Sequence, residues 1–153
     1  VYNRYPIIRD EYGLLEWFSL DNTFCLGLGN PHLRKKLYDY MTTNGGKVRS
    51  VVSSKSMIGS LDTDIGEGCC ILALSVVANG TKIGNCGLVY HHVGITHDCK
   101  IGDFVEISPG AKLLGACQIG DFVSIGANAT ILPKIKIGNN VVICLGFHHS
   151  DHL

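Results

Sequence analysis

The sequence predicts a mainly β protein: a triangular parallel β solenoid preceded by a partial α/β unit. Three observations carry this reading. From Ile65 onward every sixth residue is aliphatic, through Ile71, Val77, Ile83 and Val89 to Ile131, Ile137 and Ile143. The fifth residue of each six is usually small or β-branched, as at Cys69, Ser75, Thr81, Val93, Val105, Ala111 and Val141. An Ile-Gly pair marks every third six, at Ile65, Ile83, Ile101, Ile119 and Ile137. Fixed internal periods of this kind are the mark of a stacked repeat.

The period sets the geometry. Six residues make one short strand and a corner, and three such units close one coil. Strand alternation sends the first and fifth residues of each six inward. Successive coils then pair as parallel strands about 4.8 Å apart around one apolar column. The third and fourth residues form the corner. Gly68, Gly80, Gly110, Gly146, Asn128 and Asn140 take the fourth place, and these types accept left-handed backbone angles. Corners eighteen residues apart stack into three edges. The first carries Asn79-Gly80, His97-Asp98, Gly115-Ala116 and Pro133-Lys134. The second carries His91-His92, Pro109-Gly110, Ala127-Asn128 and Leu145-Gly146. The third carries Glu67-Gly68, Asn85-Cys86, Asp103-Phe104, Asp121-Phe122 and Asn139-Asn140, and its polar repetition reads as a solvated edge.

Residues 1–52 lack the six-residue period and read as the partial α/β unit, with 53–148 as the solenoid and 149–153 as a tail. A short helix is expected over 9–18 and an apolar strand over 23–28. Asn30-Pro31 is a strong helix start, with Asn as cap and Pro in the first turn. Leu33, Leu37, Tyr40 and Met41 then recur at helical spacing, which puts Arg34, Lys35 and Lys36 largely on the exposed side. Asn44-Gly45-Gly46 ends that helix, and 48–52 reads as another strand. The turn of Gly27, Leu28, Gly29 and Asn30 lies between strand and helix, where backbone N–H groups can meet a phosphate or a sugar hydroxyl.

Composition narrows the partners. Thirteen basic residues balance thirteen acidic ones, so no electrostatic footprint for nucleic acid or an anionic membrane is present. No apolar run approaches the roughly 20 residues of a membrane span, and no signal peptide opens the chain. Seven cysteines are an odd number, and Cys69, Cys99 and Cys117 fall on inward positions where a thiol packs as a small apolar group. Cys99 and Cys117 stack one coil apart. The cysteine pattern points to a reducing cytoplasm.

The chemistry-bearing residues sit at corners. His97 has the carboxylate of Asp98 beside it, and an imidazole whose other nitrogen is held by a carboxylate is a competent general base near neutral pH. One coil above, Gly115 offers a bare backbone N–H, a donor suited to a developing oxyanion.

The run His97-Asp98-Cys99-Lys100-Ile101-Gly102-Asp103-Phe104, followed by Ile107-Ser108-Pro109-Gly110-Ala111, resembles the bacterial sugar acetyltransferases of the hexapeptide-repeat superfamily, of the sialic acid O-acetyltransferase and UDP-4-amino-sugar N-acetyltransferase type. The resemblance extends back through Gly27 to Asn30 and Arg34 to Lys36, and forward to about Gly146. It implies a left-handed parallel β-helix, a handedness opposite to the usual parallel crossover. It also implies acetyl-CoA as co-substrate without a metal, a sugar or nucleotide-sugar acceptor, and a homotrimer with its sites between neighbouring β-helices. The family's general base and its acidic partner fall on His97 and Asp98. Its acetyl-CoA contacts fall on Glu106, Gly115, Ala127 and Leu145, and a nucleotide-sugar contact falls on Gly29. Because Ala127 and Leu145 lie on a different edge from His97 and Gly115, edges of adjacent subunits are needed to line one cleft.

The chain also departs from the pattern. Glu106 stands where the family usually has His, and as the residue before inward Ile107 it is expected to project outward. Tyr90 stands where Asn is frequent. The first strand and glycine-rich loop of the family's nucleotide-sugar unit have no counterpart, and the repeat stops after Gly146. These departures define an alternative, a truncated non-catalytic trimeric β-helix. A second alternative is a zinc protein like the γ-class carbonic anhydrases, suggested by His92 and His97 with Cys99 following; catalytic zinc needs a third protein ligand, and only His91 is near. His148, His149 and His152 read as a frayed polar tail.

Overall fold

A computed structural model describes residues 5–146. The expected tail, with His148, His149 and His152, lies outside the described residues. Helix α1 (Glu11–Leu20) starts two residues later than the pattern suggests, because Asp10 caps it and accepts the Gly13 N–H at 2.8 Å. Of the strand expected over 23–28, only Thr23–Phe24 (β1) is paired, parallel to Lys47–Val48 (β2). Helix α2 (Pro31–Thr43) is capped as its sequence predicts, Asn30 Oδ1 accepting the Leu33 N–H at 3.0 Å.

The strand expected over 48–52 divides. Val48 stays with β1, whereas Val51–Val52 pairs with Cys70–Ile71 and already belongs to the solenoid. The step from Met57–Ile58 to Asp64–Ile65 is seven residues, not six, so a strict six-residue count cannot reach below Ile65.

The solenoid is a left-handed parallel β-helix of three faces. The first face stacks Val51–Val52, Cys70–Ile71, Leu88–Val89, Glu106–Ile107, Ser124–Ile125 and Val142–Ile143. The second runs from Met57–Ile58 through Gly94–Ile95 to Thr130–Ile131, and the third from Asp64–Ile65 through Lys100–Ile101 to Lys136–Ile137. All pairs are parallel with an eighteen- or nineteen-residue register. The inward column is buried as predicted, with Ile71, Ile95, Ile107, Leu113 and Ile125 lined by Cys69, Val93, Val105, Ala111 and Val123. The buried hydroxyls are satisfied: Ser75 Oγ donates to Leu72 O at 2.6 Å and Thr81 Oγ1 to Thr96 O at 2.9 Å. Fifteen consecutive corners, from Asp62 to Gly146, place their fourth residue at positive φ. Nine of the corner types there are neither Gly nor Asn, so the repeat imposes the conformation on ordinary side chains as well.

The sequence reading leaves the third edge to solvent and Arg34 on the exposed side of α2. Both are overturned. The N-terminal unit docks on the third edge, burying Leu26, Cys86 and Phe104 together, with Tyr38, Val48 and Phe122 packed against them. Phe122 stacks between His32 and Phe104, at centroid separations of 5.1 and 5.4 Å. Arg34 is 1% exposed, while Leu33 is 50% exposed. The inward stripe of α2 is Pro31 and Arg34, both buried, with half-buried Tyr38, at true helical spacing but with a cation inside it, because the corners beneath present bare carbonyls that need a donor.

Candidate active site

His97 and Asp98 occupy a corner of the first edge, where the second and third faces meet. The backbone of that corner is held from both sides, the Asp98 N–H donating to Asn79 O at 3.1 Å and the Ala116 N–H to His97 O at 3.0 Å. His97 Nδ1 lies 2.8 Å from Asp98 Oδ2, which leaves Nε2 directed away from the carboxylate. With Asp98 accepting from Nδ1–H, Nε2 is the basic nitrogen. Both side chains are about two-thirds exposed, at 69% and 66%.

Two glycines make room for this pair. A Cβ at Gly115 would lie 2.8 Å from His97 Nε2 and Cε1, and a Cβ at Gly80 would collide with Asp98 Oδ1. The imidazole therefore rests on the bare backbone of the coil above, and the carboxylate on that of the coil below. The signal for this was present in the sequence as the eighteen-residue spacings from Gly80 to Asp98 and from His97 to Gly115.

The corner amides distinguish the edges. On the third edge each third-position N–H donates to an Asn or Asp one coil above: Glu67 to Asn85 at 3.1 Å, Asn85 to Asp103 at 2.6 Å, Asp103 to Asp121 at 2.8 Å and Asp121 to Asn139 at 2.9 Å. On the first edge that ladder stops after Leu61, whose N–H meets Asn79 Oδ1 at 3.2 Å. Among the described residues no acceptor meets the N–H of His97 or Gly115, since the residues above them are Gly115 and Pro133. The second edge likewise leaves the Ala127 N–H bare, beneath Leu145. Unpaired amides at an exposed edge are donors available to a ligand.

The remaining predicted residues fall elsewhere. Glu106 projects outward from the first face, and what it meets is the chain's own loop: a Cβ on Gly29 would lie 2.8 Å from Glu106 Oε1 and 3.4 Å from the Tyr90 hydroxyl. Ser124 Oγ donates to Glu106 Oε2 at 3.4 Å. Gly29 and Glu106 are thus brought together, and so are His97, Asp98 and Gly115. Ala127 and Leu145 stack on the second edge, where the Gly146 N–H donates to Ala127 O at 2.8 Å. The first edge lies opposite the first face across the prism, so one chain does not bring His97 to Glu106 and Gly29. Arg34, which holds that loop, is the residue that sequence reasoning missed.

Five of the seven thiols are buried. Burial pushes Cys69 up to about 11 and Cys86 up to about 12. Cys99 and Cys117 face each other inside the column with Sγ atoms 3.7 Å apart; the hydrogen bond between them lowers Cys99 to about 7 and, with burial, holds Cys117 above its ordinary range. His92 and His97 sit on different edges, and no group of three His, Cys, Asp or Glu among the described residues is arranged to hold a metal ion.

Comparison with known proteins fits this frame. Residues 116–144 match the family described as bacterial transferase hexapeptide (six repeats). Over those residues the chain is similar to the hexapeptide-repeat family. It is 27% identical over 96 residues to the GDP-perosamine N-acetyltransferase of Escherichia coli O157:H7, an overlap of 63% of this chain and 43% of that protein. The overlap thus spans less than half of that relative's length. The acetyltransferase domain of PglB from Neisseria gonorrhoeae FA1090 superposes with a TM-score of 0.86 at 27% identity, covering 97% of this chain and 72% of that one. That domain has also been solved in complex with acetyl coenzyme A. PerB from Caulobacter crescentus, crystallised with CoA and GDP-perosamine, shares the fold at a TM-score of 0.90 and 20% identity, over 97% of this chain and 72% of its own. No helix among the described residues is long and apolar enough to cross a membrane.

Proposed function

We propose that this hexapeptide-repeat protein is an acetyl-CoA-dependent acetyltransferase acting on an amino or hydroxyl group of a nucleotide-linked sugar. The observation that carries the reading is the first edge: a histidine with its Nδ1 held by Asp98, its Nε2 open, and an unpaired amide at Gly115 against the same imidazole. His97 Nε2 takes the proton as the acceptor attacks the thioester carbonyl. Asp98 orients the ring and stabilises the imidazolium that results. The Gly115 N–H donates to the tetrahedral oxyanion. Collapse breaks the carbon–sulfur bond, and the departing thiolate takes the proton back from His97. No covalent enzyme intermediate is required.

Ala127 and Leu145 on the second edge are assigned to CoA, Glu106 to the thioester end, and Gly29 to the nucleotide sugar. Because the first edge and the first face lie on opposite sides of one prism, the reading requires a second copy to complete each site. A closed trimer of neighbouring β-helices supplies it three times over. We place this trimer in the cytoplasm, as the odd cysteine number suggests.

The test is release of free CoA thiol when the full chain is given acetyl-CoA and GDP-perosamine. Acceptor-dependent release that is indifferent to a chelator supports the reading. A chain that assembles as a trimer yet releases no thiol with nucleotide-linked amino or hydroxyl sugars is the non-catalytic alternative.

A further inference from the structure

Arg34 has no part in the mechanism above, yet it is the largest fully buried side chain of the described residues. Its donors are all directed at carbonyls. Nε meets Cys86 O at 2.9 Å; Nη1 meets Leu28 O at 2.8 Å and also Gly29 O; Nη2 meets Phe104 O at 2.7 Å and Val105 O at 3.1 Å. Three separate segments converge on one guanidinium: the Cys86 corner, the turn of residues 27–30, and the corner that leads directly into Glu106. Apart from Val105 O, which also accepts the Leu88 N–H at 2.9 Å, these carbonyls have no other donor among the described residues. Burial works against the charge of Arg34, and Glu106 is the carboxylate whose field offsets that cost. A planar five-donor fork suits this task, and a lysine ammonium, with three donors from one point, does not.

We propose that Arg34 is a positioning residue for the acceptor end of the site: it ties the Leu28 and Gly29 carbonyls to the Phe104–Val105 corner and so fixes Gly29 against Glu106 and Tyr90. The inference rests on the reading that this turn meets the sugar nucleotide. It predicts that loosening Arg34 impairs acceptor binding while leaving the first-edge base and the CoA-bearing second edge alone.

The experiment compares wild type with Arg34→Lys as full chains, by steady-state acetyl transfer to GDP-perosamine and by amide hydrogen exchange. For Arg34→Lys the KM for GDP-perosamine should rise about tenfold or more, with the KM for acetyl-CoA within about twofold of wild type. The Leu33 amide, which donates to Asn30 at the end of this turn, should exchange about tenfold faster, with solenoid amides unchanged. In Arg34→Ala, added guanidinium should recover part of the acceptor KM. Equal rises in both KM values, or no change in acceptor KM and Leu33 exchange, would overturn the proposal. A wild-type chain inert towards GDP-perosamine would count against the acetyl-transfer reading itself, and the exchange comparison would still decide the role of Arg34.

Discussion

The first and third edges are built on one repeat and end up as opposites. On the third edge the corner amides are satisfied by a ladder of Asn and Asp side chains, and the surface is covered by α2 and its aromatic contacts. On the first edge the ladder gives way to His97, Gly115 and Pro133, and the amides are left bare beside an exposed imidazole. The third edge uses its polar groups for stability, each amide bond worth about 1 kcal/mol net. The first edge leaves the same groups free to bind. A repeat protein can therefore place a site by omission, by failing to supply the side chain that would complete its own hydrogen bonds.

The largest effect is expected at the base of the first edge. His97→Ala should lower turnover by roughly 10²- to 10⁴-fold with the melting temperature unchanged, because the side chain is exposed and supports no packing. Gly115→Ala comes next: its Cβ would meet the imidazole at 2.8 Å and displace it, lowering turnover by about 10²-fold. Asp98→Asn keeps the base but weakens its orientation, and should cost about tenfold in kcat with little change in either KM. The converse effect belongs to the third edge. Asp103→Ala removes the acceptor of the Asn85 N–H, so about 1–2 kcal/mol of stability should be lost in a denaturation curve, while turnover per folded chain stays at the wild-type level.

The sequence disclosed these two edges unequally. The solenoid was legible from Ile65 because its period never slips, and the coil below was hidden by a single extra residue before Asp64. His97, Asp98 and Gly115 were legible as neighbours because corners eighteen residues apart must stack. The fit of the two glycines on either side of the His97–Asp98 pair emerged only with the position of each missing Cβ. The cover of the third edge was not legible, since Arg34 is bound by backbone carbonyls, which no residue type announces. Cys86, Phe104 and Phe122 offered a hint in retrospect: three apolar residues at corners of an edge otherwise polar.

Under the proposed function, the base on the first edge of one copy serves the acceptor turn on the first face of another. Subunit mixing tests it directly. His97→Ala lacks the base, and Gly29→Phe fills the space beside Glu106, so each should be nearly inactive alone. Unfolded together and reassembled, the two should regain about a quarter of wild-type thiol release, the share of interfaces that pair an intact edge with an intact face in a randomly mixed trimer. A mixture as inactive as its components would mean that base and acceptor turn serve the same chain, and the arrangement across copies would be wrong.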